Sequence, residues 1–185
     1  MKTPKAHKTL SLIIIIFITI TSLLGYKMQD PVKQKLVRDL RALARIDDFN
    51  DLYVSIYWLS PGLTTRYPYS KQDLIDHAQN ECRFRRYEIE GKLDWFGQIT
   101  EKDIEIVEKN SNEWGRFYII IHSFTEGRLF DLFLFGSPKS NLSFIVNDVE
   151  ILWSDKLLDA LRPLLVLNDE LFFDMELYRL TWQYD

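Results

Sequence analysis

The sequence predicts an α+β fold: an N-terminal membrane-spanning helix followed by one domain with an antiparallel sheet and flanking helices. Three observations carry that prediction. An uncharged apolar run stands near the start, two aromatic and β-branched runs (residues 114–124 and 128–135) flank Thr125-Glu126-Gly127, and segments of helical periodicity lie before and after them. Adjacent strands joined by short turns, with helices at either end of the order, make an α+β domain. At 185 residues, 46% hydrophobic and 27% charged, the chain suits one core, and its single Cys allows no disulfide within the chain.

Residues 10–24 read LSLIIIIFITITSLL, and no charge occurs between Lys8 and Lys27. As a helix, those 18 uncharged residues span about 27 Å, close to the roughly 30 Å hydrocarbon core. No small-x-small cleavage pattern follows the run, since Leu23 or Ile20 occupies the outer position, and Tyr26 stands where an acylated Cys would be required. The expected organisation is a short cytoplasmic flank over 1–9, a transmembrane anchor or uncleaved signal over 10–26 that meets membrane lipid, and a single extracytoplasmic α+β domain over 27–185. Cleavage would instead release a secreted body. Lys2, Lys5 and Lys8 precede the span while Lys27, Lys33 and Lys35 follow it, so the orientation rests on the short flank staying inside while the long body is exported.

Charge changes sign along the chain. Residues 1–46 hold nine Lys or Arg against two Asp, residues 47–146 hold 11 basic against 16 acidic, and residues 147–185 hold three against nine. An acidic body argues against nucleic acid as a partner, because that affinity comes mainly from cations replacing phosphate counterions.

The body's elements follow in order. Asp30-Pro31 starts an amphipathic helix with Val32, Leu36, Val37, Leu40, Leu43 and Ala44 at helical spacing, ending near Ile46. Residues 52–58 (LYVSIYW) read as a strand, and Pro61-Gly62 and Pro68 mark a loop. Ser70 and Asp73 form a capping-box variant for a short helix to about Glu81. Residues 83–89 look extended, Glu90-Gly91-Lys92 turns into 93–99, and Thr100 with Asp103 caps a helix to about Lys109. Thr125-Glu126-Gly127 suits a hairpin with a bulge. Residues 136–140 make the next turn, 141–146 a third strand that can continue through 149–153, and Ser154 caps a helix that Pro163 ends or kinks. Residues 173–184 alternate polar and apolar with a break at Leu177-Tyr178. They read as a bulged strand, with a helix as the alternative.

Chemistry is sparsely signalled. Seven scattered Gly build no phosphate loop, no Ser lies in G-x-S-x-G, and His7, His77, His122 and Cys82 show no metal-ligand spacing, so neither cofactor nor metal is expected. Asp73 and Glu81 sit four residues either side of His77, which makes His77 and Glu81, with His122 on the hairpin, the catalytic candidates. Arg83, Arg85 and Tyr87 would share one strand face able to hold an anionic group, and Trp58, Tyr67 and Tyr69 around the Pro-Gly loop are the aromatic binding candidates.

In outline, a hydrophobic helix running into an amphipathic one ahead of an antiparallel sheet resembles type IV pilins. Their Gly before the processed end and their Glu five residues in are missing here, so filament assembly is not expected. The expected function is that of a noncatalytic, membrane-anchored module that binds a protein partner outside the cytoplasm, by analogy of type a toxin-neutralising one. The alternative is a small exported hydrolase using carboxylates with His77 or His122.

Overall fold

Pro31 opens helix α1 (Pro31–Leu43), where a missing backbone donor is tolerated, and Leu36, Val37, Leu40 and Leu43 form its buried stripe at three- and four-residue spacing. The computed structural model describes residues 30–61, 63, 67–107, 115–135 and 143–182, without the side chains of 135 and 178–182. The flank over 1–9, the anchor over 10–26 and the turn over 136–140 lie outside the described residues. No helix among the described residues is long and apolar enough to cross a membrane.

The domain is α+β. Strands β1 (Leu52–Trp58), β2 (Asn80–Arg85), β3 (Gly115–Ser123), β4 (Gly127–Phe135), β5 (Ser143–Val146) and β6 (Val149–Leu152) form one sheet in the order β2-β1-β3-β4-β5-β6. Every pairing is antiparallel. The predicted β3–β4 hairpin is present: Gly127 has φ 81, a conformation open to glycine, and the register shifts between Ile121 and His122. Residues 143–152 are not one strand. Asn147 and Asp148 have φ 47 and 66, and two consecutive left-handed residues form the tight turn that folds β6 back on β5.

Four other expectations change. The segment after Ser70 is the expected capped helix, α2, but it covers only Lys71–His77, and β2 begins at Asn80. Extended structure stops at Arg85, because the Glu88 carboxylate accepts the Arg85 N–H at 2.9 Å and Arg86 turns to φ 41. Residues 94–98 and 101–103 are short 3-10 turns. The first buries Phe96 against Phe130 (ring centroids 5.6 Å apart), and the second ends because Ile106 bridges to Ile151 on the sheet edge. Helix α3 (Asp155–Leu165) keeps Pro163 in its last turn and starts as predicted, with Ser154 Oγ accepting the Leu157 N–H at 3.3 Å.

The bulged strand predicted near the end is a helix, α4 (Asp169–Trp182). The Asn168 side chain accepts the Leu171 N–H at 2.9 Å, and Leu171, Asp174 and Met175 are buried at helical spacing. The polar and apolar alternation after Phe173 misled because Asp174, a charged residue, belongs to the buried side.

The sheet's two faces differ. On the first face Val54, Ile56, Trp58, Phe84, Phe117, Ile119, Ile121, Phe130, Leu132, Phe144 and Ile151 share one core with α1, α3, α4 and the 3-10 segment. The second face carries a smaller cluster of Tyr57, Tyr118, Ile120, Phe133 and Ile145 under Leu59 and Leu74, with Tyr69, Ile75 and Ala78 packed at its margin.

Candidate functional site

Register places the second face in rows. Tyr57 stands opposite Glu81 and Tyr118, and Tyr118 opposite Phe133. Next come Arg83, Ser55, Ile120 and Asp131, and then Arg85, Tyr53, His122 and Arg128. Neighbouring strands lie about 4.8 Å apart, so each four-residue row crosses about 14 Å. Helix α2 lies over the first of these rows through Leu74, held by its capping box: Ser70 Oγ accepts the Asp73 N–H at 3.2 Å, and Asp73 accepts the Ser70 N–H at 2.8 Å.

A charged fastening ties that helix to the sheet. Asp131 is fully buried in β4, and its Oδ2 accepts from Lys71 Nζ at 2.6 Å, Tyr118 Oη at 3.0 Å and Arg128 Nη1 at 3.2 Å. Lys71 and Arg128 also reach the two oxygens of Asp148, at 3.2 and 3.4 Å. Two cations therefore meet two carboxylates. The lysine beside it holds the Asp148 carboxyl below its ordinary value, with Arg128 adding to the effect. Burial and the neighbouring Asp131 carboxylate push the Tyr118 phenol up, so it stays a donor. The Asn147 side chain accepts the Asp131 N–H at 2.9 Å, which joins the β5–β6 turn to the same cluster. Asp131 Oδ1 is buried without a hydrogen-bond partner among the described residues.

Beyond Ile120 the face opens. Tyr53 and His122 are half-buried and stack with ring centroids 4.6 Å apart and planes 5° apart. Phe124, 63% exposed, has its ring centroid 4.8 Å from that of Tyr53, with the planes tilted by 35°. Arg85 and Arg128 flank this aromatic group in the same row, both exposed. Burial first, then the Arg128 charge, lower the His122 pKa, so the ring is neutral near pH 7 and stacks as an uncharged aromatic. Tyr87, 79% exposed, belongs to the 3-10 turn that follows β2.

Comparison with protein-family models, with curated proteins and with solved structures finds no match.

The predicted site residues scatter. Trp58, expected at an interface, is a core residue only 2% exposed, and its Nε1 donates to the buried Asp174 at 3.1 Å, so it offers nothing to a partner. Tyr69 packs at the margin of the second cluster and Tyr67 is exposed. Arg83 and Arg85 do share a strand face, while Tyr87 has left the strand. His77 and Glu81 are exposed on α2 and β2, with no hydrogen bond between them among the described contacts. Cys82 is half-buried, and burial with the Glu81 charge pushes its thiol up to about 12, which makes the thiolate a minor form near neutral pH and disfavours a nucleophilic role.

An open cleft of about 540 Å³ lies at the start of β1 between Asp48, Asn50, Asp51, Ser123, Thr125 and Glu126, and neither His77 nor His122 lines it. Asp51 accepts from the hydroxyls of Ser123 and Thr125 and from the Thr125 N–H, and these bonds hold its pKa down. With its hydroxyl on a carboxylate and its oxygen accepting the Thr125 and Glu126 N–H groups, Ser123 fastens the hairpin to the segment before β1. The missed residues are Lys71, Asp131 and Asp148. The available signal was a lone carboxylate at position 131 inside an otherwise apolar strand, RLFDLFLF.

Proposed function

We propose that this chain is a noncatalytic binding module, held at a membrane by residues 10–26 with its domain outside the cytoplasm, and that it takes an acidic protein partner on the open part of the second sheet face. The observation that carries the reading is one row, Arg85, Tyr53, His122 and Arg128, with Phe124 beside it. Rigid aromatic rings supply contact area at small entropic cost, and the exposed Arg85 guanidinium favours a carboxylate, while Arg128 at the far end of the row is already held by Asp131 and Asp148. Arg85 stands on a body whose net charge is negative, so an acidic partner is steered to this end of the face and away from the rest. The apolar run of residues 10–24 supports the anchor.

The test uses the full chain in detergent as bait for envelope extracts, beside the same chain with Arg85→Glu. Retention of an acidic protein by the first and its loss from the second supports the reading. Equal retention by both, or turnover of a substrate, contradicts it. Carbonate extraction checks the anchor: the intact chain stays with the membrane fraction if residues 10–26 span it, and washes out if they do not.

A further inference from the structure

The two edges of the sheet are finished differently. Backbone phase shows what each one offers. Leu59 N–H donates to the Arg116 carbonyl at 3.0 Å and Phe124 N–H to the Asp51 carbonyl at 2.9 Å, so the odd-numbered residues of β1 bond to β3. Its even-numbered residues then bond to β2, and through the pairs Val54–Phe84, Ile56–Cys82 and Trp58–Asn80 the residues of β2 that face inward are Asn80, Cys82 and Phe84. Glu81, Arg83 and Arg85 direct their N–H and C=O groups away from the sheet. Independently, the Arg85 N–H donates outward to Glu88 at 2.9 Å. On the opposite edge the outward groups of β6 are taken: Leu152 N–H donates to Glu105 and Glu150 C=O accepts from Val107, at 2.9 and 3.1 Å. Among the described residues nothing equivalent covers Glu81 and Arg83.

We propose that this chain forms a twofold homodimer in which β2 pairs antiparallel with β2 of a second copy, Glu81 opposite Arg83 and Arg83 opposite Glu81 across the axis. Charge complementarity selects the occupant. Only outward-facing residues can form the hydrogen-bonded pairs of a new ladder, which leaves three registers centred on Glu81 and Arg83. Two set like charges against each other, Glu81 on Glu81 or Arg83 on Arg83, and the second of these also needs the Arg85 N–H that Glu88 already holds. The other sets Glu81 against Arg83 twice, so that the sequence Glu81-Cys82-Arg83 is its own complement, as a twofold interface requires. That register adds four backbone hydrogen bonds and stops where Glu88 has already taken the Arg85 N–H. Within one chain, Glu81 and Arg83 lie on the same side of the strand with 3.7 Å between charged atoms, so both already stand where the partner strand would meet them. Cys82 falls on the axis as a non-hydrogen-bonded pair, whose Cα separation of about 4.5 Å lies within the range a disulfide bridges. The dimer joins the second faces of the two sheets side by side and repeats the Arg85 to Arg128 row.

The experiment uses the full chain in detergent, followed by sedimentation velocity over a concentration series. A second readout is oxidation by copper phenanthroline, in which two Cys82 thiols join as one disulfide, copper(II) takes the two electrons and the two protons pass to the buffer. The wild-type chain should dimerise and yield a disulfide-linked dimer that Cys82→Ser abolishes. Arg83→Glu alone and Glu81→Arg alone should each weaken self-association about tenfold, because each sets like charges opposite one another. Mixed together, these two variants should pair with each other, and the double exchange Glu81→Arg/Arg83→Glu should return to within about twofold of wild type. Recovery on mixing cannot come from a folding defect. A chain that stays monomeric at every concentration, a dimer indifferent to these charges, or single variants that do not pair on mixing would each overturn the proposal.

Discussion

The two halves of the sheet's second face are built from the same four strands and end in opposite states. Under α2, Tyr57, Tyr118, Ile120 and Phe133 are buried, and the Asp131 carboxylate beside them takes two cations and the Tyr118 hydroxyl on a single oxygen. Past Ile120 the row of Arg85, Tyr53, His122 and Arg128 has no helix over it among the described residues. The reach of α2 sets the boundary: seven residues make about 10 Å of helix, too short to cover both halves of the face. A short helix held down by a salt bridge covers one half of the face and leaves the other half exposed.

Removing the fastening should have the largest effect. Lys71→Met takes the shortest partner from a fully buried carboxylate that already has one unpaired oxygen, and it should cost about 3 kcal/mol in urea unfolding. Slightly less is expected from Gly115→Ala, at about 2 kcal/mol, because a Cβ there would lie 2.4 Å from both Phe133 Cζ and the Tyr69 carbonyl oxygen, and the latter cannot give way. On the fully covered first face, Trp58→Phe strands the buried Asp174 carboxylate, and thermal melts should register about 1–2 kcal/mol.

Titration distinguishes the halves more gently. NMR of the His122 ring should give a pKa below the ordinary 6.5, so the folded state prefers the neutral ring and its contribution to stability falls as pH drops from 6.5 through the folded value. Replacing Arg128 with Gln should raise that pKa while leaving it below 6.5, since burial is the larger cause. A value above 6.5 would mean that a carboxylate faces the ring.

Much of the sheet was legible because its residues obey local rules. The run of residues 52–58 and the Thr125-Glu126-Gly127 hairpin combine β-branched residues with a glycine turn, and Ser70 and Ser154 cap helices as hydroxyls before acidic first turns do. What escaped depends on distant partners. The Asn147-Asp148 turn carries no glycine, and α4 hides its period because Asp174 is buried against Trp58 from 116 residues away. Arg83 and Arg85 could be picked out by composition alone. That they lie beside Tyr53, His122 and Phe124 follows from a strand register that a single sequence does not display.

The proposed division of labour across this face is tested most directly by one double variant, Arg85→Glu with Phe124→Ser, read for both stability and capture of the proposed acidic partner by the full chain. Both side chains are exposed and neither touches the Lys71–Asp131 fastening, so the melting temperature should stay within about 2 °C of wild type while capture is lost. Unchanged capture, or a collapse in stability, would contradict the claim that the covered half holds the fold and the open half meets the partner.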